Sequence, residues 1–175
     1  MKNISNPPKV LFIANVELHI LQFHVPYIKY FQDIGYEVHV AAGLYNSKNK
    51  LGEMGVICHD IDFARAINFT KIFNSFRALL NIMKKNKYSI IHVHTPIAAF
   101  LGRLAAKITR SRPVLYTAHG FHFYTGAPFL SRWFFYLIER IAAAWTDAII
   151  TINSEDYQAA RTFCRQVYYV KGVGV

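Results

Sequence analysis

Cysteine is scarce in this sequence: Cys58 and Cys164 are the two among 175 residues. They lie far apart and match neither the spacing of a zinc–thiolate site nor a disulfide framework. No run of about 20 uninterrupted apolar residues occurs, so no transmembrane helix is predicted. The N-terminal segment has too short an apolar run for a signal peptide. These absences predict a protein of a reducing, cytoplasmic compartment.

Acidic residues are also few. The sequence has 10 Asp and Glu against 20 Lys and Arg, which gives a formal net charge of +10. This excess favours anionic partners such as the phosphates of nucleotides, nucleic acids or lipid headgroups. The basic residues are scattered singly or in pairs, so no nucleic-acid partner is predicted. The alternative, that these lysines serve only solubility, stays open.

Two glycine-rich signatures are missing. No GxGxxG fingerprint follows the first apolar run, and no GxxxxGK[ST] motif occurs in the chain. A nicotinamide or flavin dinucleotide and nucleotide hydrolysis of the P-loop type are therefore not supported. We predict no bound cofactor.

Seven short apolar runs, rich in β-branched and aromatic residues, dominate the rest of the sequence. Runs without polar alternation are typical of strands buried on both faces. Helical segments separate most of them, and this alternation favours a parallel sheet covered by helices. We predict one domain over residues 1–175, an α/β, Rossmann-like, doubly wound and mostly parallel sheet of about seven strands. The predicted strands are 9–14, 36–42, 55–61, 88–94, 113–118, 147–152 and 166–170, the predicted helices 19–34, 69–86, 95–110, 129–146 and 154–163, and 43–54 is predicted to be a polar loop.

Histidines stand at the ends of two neighbouring predicted strands. His119 directly follows the fifth strand, and Gly120 permits a tight turn and close approach of a ligand. Because ligands of doubly wound sheets bind beyond the carboxyl ends of the strands, an imidazole there can move a proton or bond a sugar hydroxyl or phosphate. His94 ends the fourth strand, and Thr95 is a candidate N-cap before Pro96. We expect His94 and His119 to share one crevice, although a His119 ring bonded to a nearby carbonyl is the alternative.

The ends of the first and sixth strands carry further polar residues. Glu17 and His19 follow the first strand and could meet a hydroxylated ligand, but Glu17 could equally be solvated. Ser154 and Glu155 follow the sixth strand. Helix capping by Asn153 or Ser154 explains this segment without a functional role, so ligand contact there is one of two alternatives.

The segments HVH (92–94) and HGFH (119–122) raise a second possibility, a metal-dependent hydrolase. Histidines at i and i+2 can both reach one ion, and zinc sites can be built from three histidines. Carboxylates are scarce nearby, and His92 is expected to be buried. We therefore predict no metal site and keep the hydrolase as an alternative.

The predicted helix 129–146 has an unusual distribution of side chains. Its charged residues, Arg132, Glu139 and Arg140, form one narrow stripe, and apolar residues occupy the remaining circumference. One sheet cannot cover so much apolar surface. The surplus predicts contact with a membrane surface, a second domain or a partner, with burial under neighbouring loops as the alternative.

Four segments together resemble the N-terminal half of bacterial family 4 (group 1) glycosyltransferases that build capsular polysaccharides and exopolysaccharides. They are KVLFIANVELHILQFHVPYIKYFQDIGYEVHVAA, IIHVHTPIAAFLGRLAAK, VLYTAHGFHFYTGAP and DAIITINSEDYQAA. The similarity as a whole extends, in order, over essentially all of the chain. The resemblance implies one half of a GT-B fold, the acceptor-side domain of an enzyme that transfers a sugar from a nucleotide sugar with retention of configuration.

The resemblance also implies roles for individual residues. The residue matching His119 lies near the transferred sugar and is the expected catalytic group. Donor contacts are expected from Asn15, Val16 and Gly120. Acceptor or substrate contacts are expected from Glu17, His19, His94, Thr95, Phe121, His122, Tyr124, Ser154 and Glu155.

The remaining expectations concern partners. The segment YYVKGVGV resembles the strand that leads into an interdomain hinge, so the C-terminal donor-binding domain is expected to be absent from this chain. Alone, the chain is expected to have little or no transferase activity. A lipid-linked glycan acceptor at the inner face of the cytoplasmic membrane is implied, with a peripheral membrane contact. A non-catalytic module that docks a catalytic subunit remains the non-enzymatic alternative.

Overall fold

A seven-stranded parallel sheet forms the centre of the computed structural model, which describes residues 7–45, 48–64, 68–123, 126 and 128–172. The strands lie in the order β3-β2-β1-β4-β5-β6-β7. This order reverses direction between β1 and β4, so the predicted doubly wound sheet is confirmed. The strands are β1 Lys9–Val16, β2 Glu37–Gly43, β3 Ile57–Asp60, β4 Ile90–His94, β5 Val114–Ala118, β6 Ala148–Thr151 and β7 Val167–Tyr169.

Seven helices within the described residues cover both faces of the sheet. They are α1 Glu17–Phe23, α2 Val25–Asp33, α3 Lys48–Glu53, α4 Phe69–Asn86, α5 Pro96–Thr109, α6 Phe129–Ala143 and α7 Ser154–Ala160. Buried residues of α1, α2 and α3 pack with Val10 and Phe12 of β1 in one core cluster. Buried residues of α4 to α7 pack with Leu11 and Ile13 of the same strand in the other. Side chains alternate across a strand, so β1 supplies both cores.

The predicted helix 19–34 is wrong as one continuous element. The structure has two helices, α1 and α2, which meet at His24. Pro26 has no backbone N–H to donate, and its ring would clash with the carbonyl of Gln22 in a continuous helix. The chain therefore breaks at His24, where the backbone N–H still bonds the Ile20 carbonyl and the carbonyl accepts from Ile28 N.

The predicted loop 43–54 contains a short helix, α3. Leu51 is fully buried and belongs to the core cluster of α1 and α2. One apolar side chain among polar neighbours gives no clear helical period in the sequence, so packing of Leu51 against the sheet decides the conformation here. The predicted cap Asn153 accepts from Asp156 N, and at the start of α4 Asn68 likewise accepts from Lys71 N.

Large apolar side chains of α6 face solvent, whereas the carboxylate of Glu139 faces the protein interior. Glu139, expected on the charged stripe, is 8% exposed and accepts two hydrogen bonds from the fully buried Arg103, at 2.8 and 3.1 Å. The Arg103 guanidinium also lies 4.3 Å from the Tyr116 ring centroid. Large apolar side chains on the outer side are solvent-exposed: Phe129, Leu130, Trp133, Phe134, Leu137 and Ile141.

Candidate functional site at the carboxyl ends of three strands

The carboxyl ends of β1, β4 and β5 lie side by side at one edge of the sheet. Strand β4 pairs with β1 on one side and with β5 on the other, and all three are parallel. His94 is the last residue of β4, His119 follows β5, and their ring centroids are 5.9 Å apart. The two histidines therefore share one crevice, as the sequence predicts.

His19 completes the open side of this crevice. It lies in α1, directly after β1, and its Nε2 is 3.1 Å from Nε2 of His119. In this hydrogen bond one ring donates and the other accepts, so the two imidazoles hold complementary tautomers when neutral. Both side chains are partly exposed, so a ligand can reach them from solvent.

His24 lies deeper in the same crevice, packed on His94. The two ring centroids are 3.8 Å apart, and both side chains are buried. Neither ring has a hydrogen-bond partner for Nδ1 or Nε2 within the described residues. Four buried ring nitrogens without partners are costly in a folded protein, because each loses its bond to water.

Burial keeps these imidazoles neutral near pH 7. It lowers the pKa of His24 to about 2 and, assisted by the adjacent His119, the pKa of His19 to about 4. Burial also lowers the pKa of His119, and it holds that of His94 well below its usual value. A neutral imidazole can both donate and accept a hydrogen bond, which suits contact with a hydroxyl group.

The histidines that converge are not the set expected for a hydrolase metal site. One ring nitrogen from each of four histidines, His19, His24, His94 and His119, lies within 4.8 Å of the others. His92 is buried, as predicted, and its Nε2 bonds Thr117 Oγ1 at 2.9 Å. His122 is exposed beside Phe135. The cluster therefore contains His94 of HVH and His119 of HGFH, whereas His92 and His122 lie outside it.

Thr95 is the N-cap residue of α5, but the side chain of Asn15 accepts the capping hydrogen bond. The Asn15 Oδ1 accepts from Ala98 N at 3.2 Å, in the first turn of α5. Thr95 makes no side-chain cap bond; its hydroxyl lies 3.0 Å from Asn15 Oδ1 and accepts from Asn15 N. Thr95 has φ +60° and ψ 140°, a strained conformation for a threonine. The predicted N-cap position of Thr95, followed by Pro96, is confirmed, but the side-chain capping bond comes from Asn15 on the neighbouring strand.

Glu17 and Val16 occupy the entrance to α1. Val16 is the extended N-cap residue of this helix. Glu17 is 4% exposed, and its Oε1 accepts from Tyr45 N at 3.0 Å. The solvated alternative for Glu17 is therefore wrong, because its carboxylate is buried and ties the loop after β2 to α1.

The turn after β5 runs from the crevice into the core. Gly120 has φ +139°, which a residue with a side chain rarely adopts, so the predicted turn role of this glycine is confirmed. Phe121 is 5% exposed and stacks on Phe123, at a centroid distance of 4.7 Å. Its backbone N–H bonds the buried carboxylate of Asp156 at 3.2 Å. The Phe121 ring thus lies in the core, while its predicted substrate contact stays a prediction.

A cavity of about 440 Å³ lies between α6 and α7. Arg132, Trp133 and Tyr136 line it on one side, and Glu155 and Thr162 line it on the other. Ser154 is an exposed residue in the first turn of α7. Tyr124, the other aromatic residue expected to contact substrate, lies outside the described residues.

Sequence reasoning missed two residues of this region. His24 reaches the crevice because the helix breaks there, and the available signal was Pro26 two positions later. Asp156 anchors Phe121 N and bonds the Asn153 amide, and burial raises the pKa of its carboxyl. Helix capping alone accounts for the segment that contains Asp156, so nothing in the sequence indicates its contact with Phe121, which lies 35 residues away.

A doubly wound parallel sheet with polar groups at its carboxyl edge defines a Rossmann-like ligand-binding domain. Residues 9–153 match the model of the family described as glycosyl transferase 4-like. The chain therefore belongs to this family.

The relatives agree with this assignment. The chain is 40% identical over 172 residues to a Bacillus subtilis (strain 168) protein named as a glycosyltransferase, EpsD, covering 95% of this chain and 44% of that protein. It is 31% identical over 106 residues to the Escherichia coli UDP-Gal:alpha-D-GlcNAc-diphosphoundecaprenol alpha-1,3-galactosyltransferase, covering 61% of this chain and 26% of that enzyme. The chain thus spans less than half the length of these relatives.

A solved structure shares the fold. A glycosyltransferase from Rickettsia africae ESF-5 superposes with a TM-score of 0.69 at 16% identity, over 94% of this chain and 43% of that one. At this identity the likeness establishes the fold alone. Among the described residues no helix has the length and apolar character needed to cross a bilayer.

Proposed function

We propose that the chain is the acceptor-side domain of a glycosyltransferase of surface polysaccharide synthesis, which moves a sugar from a nucleotide sugar to a glycan with retention of configuration. The observation that carries this proposal is the family match over residues 9–153. The names of the Bacillus subtilis and Escherichia coli relatives support the reaction class. The nucleotide sugar is a co-substrate, and the proposal needs no bound cofactor.

His119 is the proposed catalytic residue. Its ring stands at the open side of the crevice, and burial lowers its pKa, so it is neutral near pH 7. A neutral ring can bond a hydroxyl of the transferred sugar. This bond helps to stabilise the charge that develops as the bond between the anomeric carbon and the phosphate breaks. His19 fixes the orientation of the His119 ring through the 3.1 Å contact.

The donor is proposed to be held mainly by a second domain. Asn15, Val16 and Gly120 are the proposed donor-side contacts of this chain, and the turn at Gly120 leaves open space near its backbone. A C-terminal GT-B domain, on the same polypeptide or on a partner chain, would supply the other contacts. We expect the chain without that domain to have little or no transferase activity.

Sugar transfer by an enzyme that unites this chain with a donor-binding domain tests the proposal. Radiolabelled nucleotide sugars are offered with a glycan linked to polyprenyl diphosphate, and the anomeric configuration of the product is read by NMR. We expect a product that keeps the configuration of the donor. An inverted product would overturn the mechanism, and a nucleotide sugar that binds without any transfer would overturn the function.

The acceptor is proposed to be lipid-linked, at the inner face of the cytoplasmic membrane. The name of the Escherichia coli relative includes a diphosphoundecaprenol-linked substrate. The exposed apolar side of α6 offers Trp133 at 61% exposure and Phe134 at 55%. A net charge of +10 adds attraction to anionic headgroups. We therefore propose a peripheral membrane contact through α6.

Replacing Trp133 and Phe134 by Ser is expected to weaken binding to vesicles of anionic phospholipid at least tenfold. Each aromatic side chain contributes roughly 1.5–3 kcal/mol when it leaves water, and serine contributes almost none. Flotation of the protein with liposomes measures the effect. The matched control replaces Phe69 and Phe73, exposed on α4, by Ser. Equal flotation of both double variants would contradict the α6 contact and point to a protein partner on this surface.

A further inference from the structure

We infer that His19, His24, His94 and His119 form a binding site for a divalent transition-metal ion of the zinc type. One ring nitrogen from each histidine lies within 4.8 Å of the other three. The four residues come from α1, the junction of α1 and α2, the end of β4 and the turn after β5. The fold thus brings together, at one point, four imidazoles that are separated by up to 100 residues in sequence.

The two buried rings need a partner that the described protein groups do not provide. His24 and His94 are 2% and 0% exposed, and none of their ring nitrogens has a hydrogen-bond partner within the described residues. An unsatisfied buried nitrogen destabilises the fold, because it has lost its hydrogen bond to water. A metal ion in the crevice would coordinate one nitrogen of each ring and remove part of this cost.

The type of ligand atom determines which metal ions the site can bind. All four are imidazole nitrogens, which suit Zn²⁺, Cu²⁺ or Ni²⁺, whereas Mg²⁺ and Ca²⁺ prefer oxygen ligands. In a tetrahedral zinc site with Zn–N bonds of about 2.0–2.1 Å, the nitrogens lie roughly 3.3 Å apart. The His19 and His119 nitrogens are already 3.1 Å apart. The other nitrogen pairs lie within 4.8 Å, so rotations of the His24 and His94 rings would have to shorten them to complete the set.

An apolar wall bounds the crevice on one side, and partly exposed histidines bound it on another. The Phe12 ring lies parallel to His94, at an interplanar angle of 4° and a centroid distance of 6.3 Å, and forms an apolar wall. His19 and His119 are partly exposed, so an ion can enter past them. When its ring nitrogen coordinates a metal ion, His119 cannot use that nitrogen to bond a sugar hydroxyl. Metal binding would therefore compete with the catalytic role proposed above for this residue.

Titration with Co²⁺, a spectroscopic substitute for Zn²⁺, tests the site in the purified, tag-free chain after treatment with a chelator. We expect one Co²⁺ per chain, with the intense visible absorption of a tetrahedral complex, and its displacement by Zn²⁺. His24→Leu is expected to lower the affinity at least roughly tenfold. It should not lower the unfolding midpoint of the metal-free protein, because no hydrogen bond is lost.

Two further variants keep the test decisive. His19→Ala removes a ligand at a partly exposed position, so it should weaken binding even if His24→Leu does not fold. His122→Gln changes an exposed histidine outside the cluster and should bind Co²⁺ like the parent protein. Unchanged affinity in His19→Ala would overturn the inference, as would the absence of binding in the parent, which would assign the buried nitrogens to ordered water. The Co²⁺ titration contains neither the nucleotide sugar nor the glycan acceptor, so its outcome is independent of sugar transfer.

Discussion

Replacing His119 by Ala is expected to lower the rate of sugar transfer about 10²- to 10³-fold in an enzyme that contains the donor-binding half. A group that stabilises developing charge in a preorganised site typically contributes this much, because no solvent must reorganise around it. Since the contact is proposed to strengthen in the transition state, kcat should fall more than the affinity for the nucleotide sugar. Steady-state kinetics with varied donor concentration separates the two quantities.

The variant should retain the fold, which the unfolding midpoint can verify. His119 is partly exposed, and its one ring hydrogen bond within the described residues joins it to His19. His119→Asn keeps a hydrogen-bonding side chain and should recover part of the rate. His59→Gln changes an imidazole on β3, at the far edge of the sheet, and should leave transfer unaffected. A His119→Ala enzyme with near-normal turnover would remove this residue from the catalytic site.

Replacing Glu139 by Ala is expected to lower the free energy of unfolding by about 3–5 kcal/mol. Arg103 is fully buried, and its guanidinium donates to both carboxylate oxygens of Glu139. Without Glu139 the charge of Arg103 would remain buried with its main partner gone. Since domains of this size are stable by roughly 5–15 kcal/mol, such a loss can leave much of the protein unfolded at 37 °C. Urea denaturation followed by circular dichroism measures it.

Two controls separate this mechanism from a general effect of losing an ion pair. The double variant Arg103→Met with Glu139→Leu removes both charges and should recover most of the stability, because well-packed apolar residues can replace a buried pair. Lys71→Ala breaks an exposed pair with Asp62 and should cost no more than about 1 kcal/mol. If Glu139→Ala costs as little as Lys71→Ala, the buried pair does not stabilise the fold.

The sequence by itself determined the fold class and the edge of the sheet where the candidate site lies. Seven apolar runs separated by helical segments define a parallel, doubly wound sheet, since buried strands and crossover helices leave local periodic patterns. Parallel strands place their carboxyl ends at one edge, so His94 and His119 were expected together from their positions after two strands. Both expectations follow from residues that are close in sequence.

The tertiary structure alone decided which residues from distant parts of the chain come into contact. His24 enters the crevice through a helix break, Asn15 caps a helix that begins more than 80 residues later, and Glu139 turns inward because Arg103 lies beneath it. Each of these positions depends on a partner that is distant in the chain. Local periodicity carries no information about such partners, because the contact exists only after the sheet has brought the two segments together.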